Sequence, residues 1–377
     1  MKKRLFIITG EYSGDIHAAK VVRELKYITS DIEIEGIGGI NLEKEGVKLY
    51  SDQKKMSAMG ISPKILFDHF KLGKSVVDYI TKYYRPDLVL LIDYGAFNLS
   101  VAKYLHKAGI KVFYYIPPQV WATRKYRIKL IKKYVDKVLC IFPFELPLYA
   151  QYGIETHYCG HPLVAQLPAA AGKREFFRNH GLDIEKKLVS VFPGSREFEL
   201  KNLMSVFKES AKRLKQRHPD LQICISQAPN ISDEIFKKYL GDCDFPVIKG
   251  ENQALLSVSD ALILASGTVA LEAALYKTPM IIAYRGPKIF YWIYLLVRCI
   301  NRVSLPNIIA DKDIVPEILQ DNVSVPNIVS EIESFLYDNA RREQNIKDLA
   351  LVKDLLSNKN SAIEVAKVID QELFPID

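Results

Sequence analysis

Short apolar runs alternate with amphipathic stretches from the first residues onward. Leu5–Thr9 predicts a strand and Asp15–Tyr27 a helix, and further strands are expected at Ile34–Ile37, Leu88–Ile92, Val112–Ile116 and Lys137–Ile141. Asp68–Tyr83, Ser100–Ala108 and Arg124–Tyr134 carry helical periodicity between them. Strands that are apolar throughout, and not alternating, are buried on both faces; spacing them by helices implies a parallel sheet covered on each side. The pattern stops at Leu167–Lys173 (LPAAAGK), where proline and small residues without periodicity read as a linker. It then restarts, with strands at Leu188–Phe192, Leu221–Ser226, Pro246–Ile248, Ala261–Ala265 and Met280–Ala283. Helices are expected after the first of these to about Gln216, and at Ile231–Tyr239, Asn252–Val258 and Val269–Leu275. The chain from about Val325 reads as helical and polar, ending in Ser361–Leu373. The expected fold class is α/β: two Rossmann-like, doubly wound lobes at 1–166 and 174–360, with a last helix at about 361–377 available to pack back on the first lobe.

Ligands of open α/β sheets bind beyond the carboxyl ends of the strands, so the strand-to-helix loops of two such lobes should line a cleft. The first of these loops is Gly10-Glu11-Tyr12-Ser13-Gly14-Asp15. Glu11 and Tyr12 stand where a dinucleotide fingerprint needs close backbone approach to pyrophosphate, and the lysine of a P-loop is missing. An acid here would repel phosphate and accept hydrogen bonds from sugar hydroxyls. Equally, Ser13 and Asp15 could be helix N-cap residues and Gly14 a tight turn. Asp93 follows the strand Leu88–Ile92, where a carboxylate is placed to act as general base for a hydroxyl nucleophile; a strand-end turn residue is the plainer alternative. In the second lobe, Pro193-Gly194-Ser195-Arg196 leads from a strand into a helix, and its N–H groups, hydroxyl and guanidinium suit a diphosphate. Ser266-Gly267-Thr268 repeats that arrangement, and Glu272 one turn later could take both hydroxyls of a ribose or be only a surface acid. Two anion-type turns in one lobe favour a nucleotide there.

Composition narrows the picture. The 377 residues include 52 Lys+Arg and 44 Asp+Glu, a net charge of +8 that fits an anionic substrate or membrane surface better than nucleic acid. The basic residues cluster in Arg124–Lys137, a solvated helix face or a functional one. Five scattered cysteines without a CxxC pair argue against a disulfide framework or a structural zinc site, and for a reducing compartment. No metal-ligand cluster stands out, and no cofactor is expected. The apolar core Leu5–Ile8 is too short for a signal peptide, and Ile289–Ile300 falls short of the ~20 residues that a spanning helix needs. A soluble or peripheral protein is expected.

Together, GEYSGD, Met59-Gly60, IDYGAFN, PPQVWATR, FPFE, GHP, PGSR, ASGTVALE and VSLPN resemble, in order over most of the chain, the lipid-A-disaccharide synthases, inverting glycosyltransferases of the GT-B fold. The resemblance implies transfer of 2,3-diacylglucosamine from its UDP derivative to diacylglucosamine 1-phosphate, with release of UDP. It implies Asp93 and Glu11 as the acids needed for activity, and Ser13, Gly14 and Asp15 as the acceptor-side loop. Ser195, Arg196, Ser266, Gly267, Thr268, Glu272 and Asn307 then fall on the UDP side. The chain departs from the family at Ala96, Thr123 and Ala165, where many members carry Asp, Trp and Asp; with Ala96 in that loop, Glu11 becomes the second acid. The substrates would be met at the inner-leaflet surface of a Gram-negative-type bacterium by a cytoplasmic, peripheral enzyme, with Ala58–Phe70 and Ile289–Leu296 offering apolar surface to acyl chains. A homodimer is compatible with the resemblance, which leaves the oligomeric state open. Competing readings are a GT-B transferase with another lipid-linked acceptor, a UDP-sugar epimerase, and a nucleotide-sugar-binding protein without catalysis.

Overall fold

The computed structural model describes residues 2–53, 63–287, 298–357 and 359–375, with the helical backbone alone for 63–70. The chain divides into two compact units, Met1–Ala165 with Ser357–Asp377, and Gln166–Leu356. The first is built on a parallel sheet of seven strands: β1 (Lys3–Thr9), β2 (Ile32–Gly38), β3 (Lys48–Asp52), β4 (Leu88–Ile92), β5 (Val112–Tyr115), β6 (Lys137–Cys140) and β7 (Thr156–Tyr158), in the order β3-β2-β1-β4-β5-β6-β7. The second holds a parallel sheet of β8 (Leu188–Phe192), β9 (Gln222–Gln227), β10 (Val247–Lys249), β11 (Ala261–Ala265), β12 (Met280–Tyr284) and β13 (Glu317–Leu319), ordered β10-β9-β8-β11-β12-β13. The strands read as continuous apolar runs sit at the centre, and β4, β8 and β11 are buried at every residue.

In each sheet the direction of strand succession reverses once, between β1 and β4 and between β8 and β11. At such a point the following helices leave on opposite faces and a crevice opens beyond the strand ends. The four loops that leave these strands are the ones carrying the candidate chemistry: residues 10–11, 93–94, 193–196 and 266–268.

Several elements differ from expectation. The first helix is Tyr12–Ile28, beginning three residues before Asp15, and the helix after β4 is Gly95–Lys107, beginning within the glycine-containing loop. The helix before β4 is Pro63–Tyr79, prolonged by a π-helical turn at Ile80–Tyr84. Because the first helix starts early, Asp15 lies a turn inside it and is fully buried. It does not cap that helix. Its carboxylate accepts from the backbone N–H of Gly39 (2.7 Å), Asn41 (3.0 Å) and Leu42 (3.2 Å) and from Asn41 Nδ2 (2.8 Å), capping the helix Ile40–Lys44 instead. Gly14 packs between strands, a β-carbon there meeting Thr9 Cβ at 3.4 Å and Ile92 Cγ2 at 3.9 Å.

The last helix, Ser361–Leu373, packs against Tyr12–Ile28 through buried Val365, Ala366, Ile369 and Leu373, and Glu372 pairs with Lys111 and Lys137. Among the described residues no helix is long and apolar enough to cross a membrane. Of the apolar stretches expected to meet acyl chains, residues 58–62 and 289–296 lie outside the described residues, as do Met59 and Gly60.

Candidate active site

The turn after β4 is held in an unusual backbone conformation. Asp93 and Tyr94 both have φ of 51°, the left-handed region that side chains disfavour by roughly 1–2 kcal/mol per residue. Three hydrogen bonds fix it: Asp93 N–H donates to Tyr115 O (3.1 Å), while Asp93 O accepts from Tyr114 Oη (2.7 Å) and Asn98 Nδ2 (2.8 Å). Asn98 is fully buried and also donates to Ile92 O (3.2 Å). The Tyr94 ring lies on Gly10, where a β-carbon would stand 2.1 Å from Tyr94 Cγ, so the loop after β1 needs glycine at its first position. That contact brings Glu11 beside the turn, and burial, with a smaller contribution from the charge of Glu11, raises the pKa of Tyr94.

Glu11 and Asp93 line one cavity of about 1060 Å³ within the first unit. Its wall is apolar along Val77, Phe97, Val101 and Tyr104, and Lys74, Arg124 and Arg127 bring positive charge to it. Glu11 and Ser13 are exposed and Asp93 half-buried. Burial pushes the Asp93 carboxyl above the usual aspartate range, opposed by a hydrogen bond from the Tyr94 backbone. A carboxylate so placed has the raised basicity that suits a general base.

In the second unit the loops after β8 and β11 are neighbours, because those strands pair. Gly194 has φ of 122°, and the turn carries an anion already: Glu199 Oε2 accepts from the N–H of Ser195 (2.7 Å) and Arg196 (3.3 Å), and Oε1 from Arg196 Nη1 (3.1 Å). This is the glutamate half of a capping box at the start of the helix Glu197–Arg217, since Arg196 at the N-cap has no acceptor to return the bond. The anion-binding geometry expected at Ser195 and Arg196 is therefore present, occupied by a side chain of the same helix. Gly267 and Thr268 are exposed, and a β-carbon on Gly267 would meet nothing within 4 Å. Ser266 is half-buried, and its N–H is committed to Ala283 O (3.0 Å). Burial raises the pKa of half-buried Glu272, opposed by a hydrogen bond from Gln253.

Asn307 is committed to neighbouring groups of the second unit. It is buried, Oδ1 accepting from Ile314 N (2.8 Å) and Val315 N (2.9 Å) and Nδ2 donating to Val315 O and Glu317 Oε1 (both 2.9 Å). Its side chain is engaged with the segment before β13 and with Glu317, and it braces that segment. FPFE and GHP also turn inward. Buried Glu145, pushed up to about 7 by burial, accepts from Trp121 Nε1 (3.2 Å) and Phe142 N (3.1 Å). Burial lowers His161 to about 4, and its Nδ1 accepts from Leu163 N (3.2 Å). Sequence reasoning gave no role to Asn98, Tyr114 or Glu199. Arg196 at the N-cap position lacks the hydroxyl of a capping-box pattern, so Glu199 was not signalled locally, and the other two act through contacts that no local pattern encodes.

A family model described as lipid-A-disaccharide synthetase matches residues 5–370. The chain is 34% identical over 380 residues to the lipid-A-disaccharide synthase of Myxococcus xanthus, covering 99% of this chain and 98% of that one. It is 35% identical over 370 residues to that of Geobacter sulfurreducens, with 97% and 96% covered. Among solved structures, a UDP-GlcNAc 2-epimerase from Neisseria meningitidis bound to UDP-GlcNAc superposes with a TM-score of 0.62 at 13% identity, covering 99% of this chain and 100% of that one. The glycotransferase of kitacinnamycin superposes with a TM-score of 0.67 at 14% identity, covering 99% of each. At these identities the structural likeness establishes the fold, the two-lobed GT-B type.

The raised Asp93 pKa has a consequence for stability. A carboxyl whose pKa is higher folded than unfolded penalises the folded state once ionised; the penalty is absent at low pH and grows as pH rises from the ordinary value of 3.8 through the folded one. Asp93→Asn is therefore expected to raise the thermal midpoint at neutral pH by more than at about pH 4. Asparagine tolerates the left-handed turn as aspartate does, and any backbone difference does not vary with pH, so the difference between the two pH values is the test. An equal effect at both would show that burial does not penalise the Asp93 charge.

Proposed function

The chain belongs to the lipid-A-disaccharide synthetase family, and on that premise we propose how its two units divide the reaction. The enzyme is a glycosyltransferase that joins 2,3-diacylglucosamine, supplied as its UDP derivative, to 2,3-diacylglucosamine 1-phosphate, giving the β-1,6-linked disaccharide 1-phosphate and UDP. In our reading the first unit binds the acceptor in the cavity bordered by Glu11 and Asp93, and the second binds the nucleotide at Ser195, Arg196, Ser266–Thr268 and Glu272. Asp93 takes the proton of the acceptor 6-hydroxyl as its oxygen bonds to the anomeric carbon. The bond from that carbon to the diphosphate breaks on the opposite face, and UDP leaves with the electron pair. Arg196 and the N–H groups of the turn after β8 stabilise the departing charge, taking from the diphosphate the contacts now made to Glu199. Glu272 accepts from ribose hydroxyls. The observation that carries this reading is the Asp93 turn, two left-handed residues that hold a carboxyl of raised basicity at the wall of an amphiphilic cavity.

The same reading places the enzyme on the anionic inner-leaflet surface. The helix Arg127–Tyr134 buries Ile128, Ile131 and Tyr134 and exposes Lys129, Leu130, Lys132 and Lys133, with Lys125 and Tyr126 exposed just before it. Basic residues near an anionic bilayer contribute about 1 kcal/mol each. This face adjoins the cavity, whose lining includes Arg124 and Arg127.

Two outcomes are expected. With both diacylated substrates, Asp93→Asn lowers kcat by about 10²–10⁴-fold while UDP affinity is kept. Full turnover in Asp93→Asn, with loss in Glu11→Gln, would exchange the roles of the two acids. In sedimentation with phosphatidylglycerol-containing vesicles, the protein binds, binding falls as salt is raised, and Lys129→Glu/Lys132→Glu/Lys133→Glu abolishes most of it. Binding indifferent to both salt and charge reversal would refute the electrostatic attachment.

A further inference from the structure

We infer that Arg124 and Arg127, with Lys74, seat the phosphate of the acceptor and make the enzyme selective for a phosphorylated sugar; the inference rests on the reading of the first unit's cavity as the acceptor site. Three observations carry it. All three cations line the cavity that Glu11 and Asp93 also line. Among the described residues neither Arg124 nor Arg127 has a salt bridge or side-chain hydrogen bond, whereas Asp78, another acid of the lining, is paired with Lys82 at 2.8 Å and also feels the charge of Lys74. Cations left unpaired around a cavity form a site for a mobile anion.

The third observation is the seating of Arg127. A β-carbon on Gly95 would lie 3.2 Å from Arg127 Nη1 and 2.7 Å from Pro118 Cγ, so glycine at this position lets the guanidinium rest against the first residue of the helix Gly95–Lys107. That helix has no side-chain cap, and Arg124 enters the site from a left-handed backbone, φ 54°. Arg127 also lies near the Asp93 turn, since both charges act on the buried Tyr114 hydroxyl that bonds Asp93 O.

The chemistry of the acceptor matches this division. Its nucleophilic hydroxyl is on C6 and its phosphate on C1, the two substituents that flank the ring oxygen. One cavity lined by Asp93 and by Arg124 and Arg127 therefore lets the same sugar meet the base with its 6-hydroxyl and the guanidinium groups with its 1-phosphate. The apolar wall of Val77, Phe97, Val101 and Tyr104 takes acyl chain. Planar guanidinium groups bind phosphate bidentately, which fixes orientation as well as affinity.

The test compares diacylglucosamine 1-phosphate with its 1-O-methyl counterpart as acceptors for the parent, Arg124→Gln, Arg127→Gln and Arg127→Lys. The parent is expected to prefer the phosphate in kcat/KM. Each Gln variant should reduce that preference about ten- to a hundredfold, with UDP affinity retained as the measure of an intact fold, and Arg127→Lys should restore part of it. An equal fall for both acceptors, or an intact preference, overturns the proposal. So does loss of binding to phosphatidylglycerol vesicles with the acceptor preference unchanged, which would assign the arginines to lipid headgroups. The same preference measured as acceptor Kd in Asp93→Asn protein separates the two readings. A phosphate preference there, alongside full turnover of Asp93→Asn, would remove Asp93 as base and leave the phosphate seat standing. No preference in binding would remove the seat.

Discussion

The contact between the Tyr94 ring and Gly10 is the constraint on which the candidate acceptor site depends. It joins the loops that leave β1 and β4, the adjacent strands where the first sheet reverses its order. A side chain at position 10 has no room, and Tyr94 can reach Gly10 from its own position only because Asp93 and Tyr94 adopt left-handed backbone. The strain is offset by the bonds that Tyr114, Asn98 and Tyr115 make to the Asp93 backbone. Strain over-determined by surrounding structure in this way is characteristic of sites where a side chain must be held in one place. Asp93 gains a fixed position at the cavity wall and a pKa raised by burial, and Glu11 is brought beside it.

The second unit treats charge in the opposite way. Its loops present N–H groups and an arginine, and Glu199 fills the anion position of the turn after β8. A carboxylate at a helix start satisfies orphan donors and the helix dipole together. A diphosphate bound there, as proposed, would meet donors already aligned for oxygen and exchange one anion for another. Glu11 and Asp93, without a salt bridge among the described residues, at one site and donors matched to an anion at the other fit the proposed reaction, in which a hydroxyl loses its proton on one side and a diphosphate departs on the other.

Much of this was legible in the chain. Buried strands of parallel sheets are apolar end to end, so LVLLI, LVSVF and ALILA announced β4, β8 and β11. The edge strands β3, β7 and β13 are short and mixed in polarity, KLYSD, THY and EIL, and gave no comparable pattern. Strand order is a matter of pairing between distant segments, which explains why the loops were recognised but their convergence at the reversal points was not. Asp15 and Asn307 show the limit at the level of single residues. Both lie in stretches that resemble the family's site, yet the direction of each side chain is set by partners 24 to 27 and 7 to 10 residues away. Arg124 and Arg127 stood out only as part of a basic run, and what distinguishes them from Lys129 and Lys132 is the cavity that they line.

The division of the reaction between the units is tested most directly by amide hydrogen exchange with each substrate class added alone. UDP is expected to slow exchange in residues 193–199 and 266–272 and to leave 93–98 unchanged. Diacylglucosamine 1-phosphate is expected to slow 93–104 and 124–127 and leave the second unit's turns unchanged. Protection of 93–98 by UDP, with none at 193–199, would contradict the account.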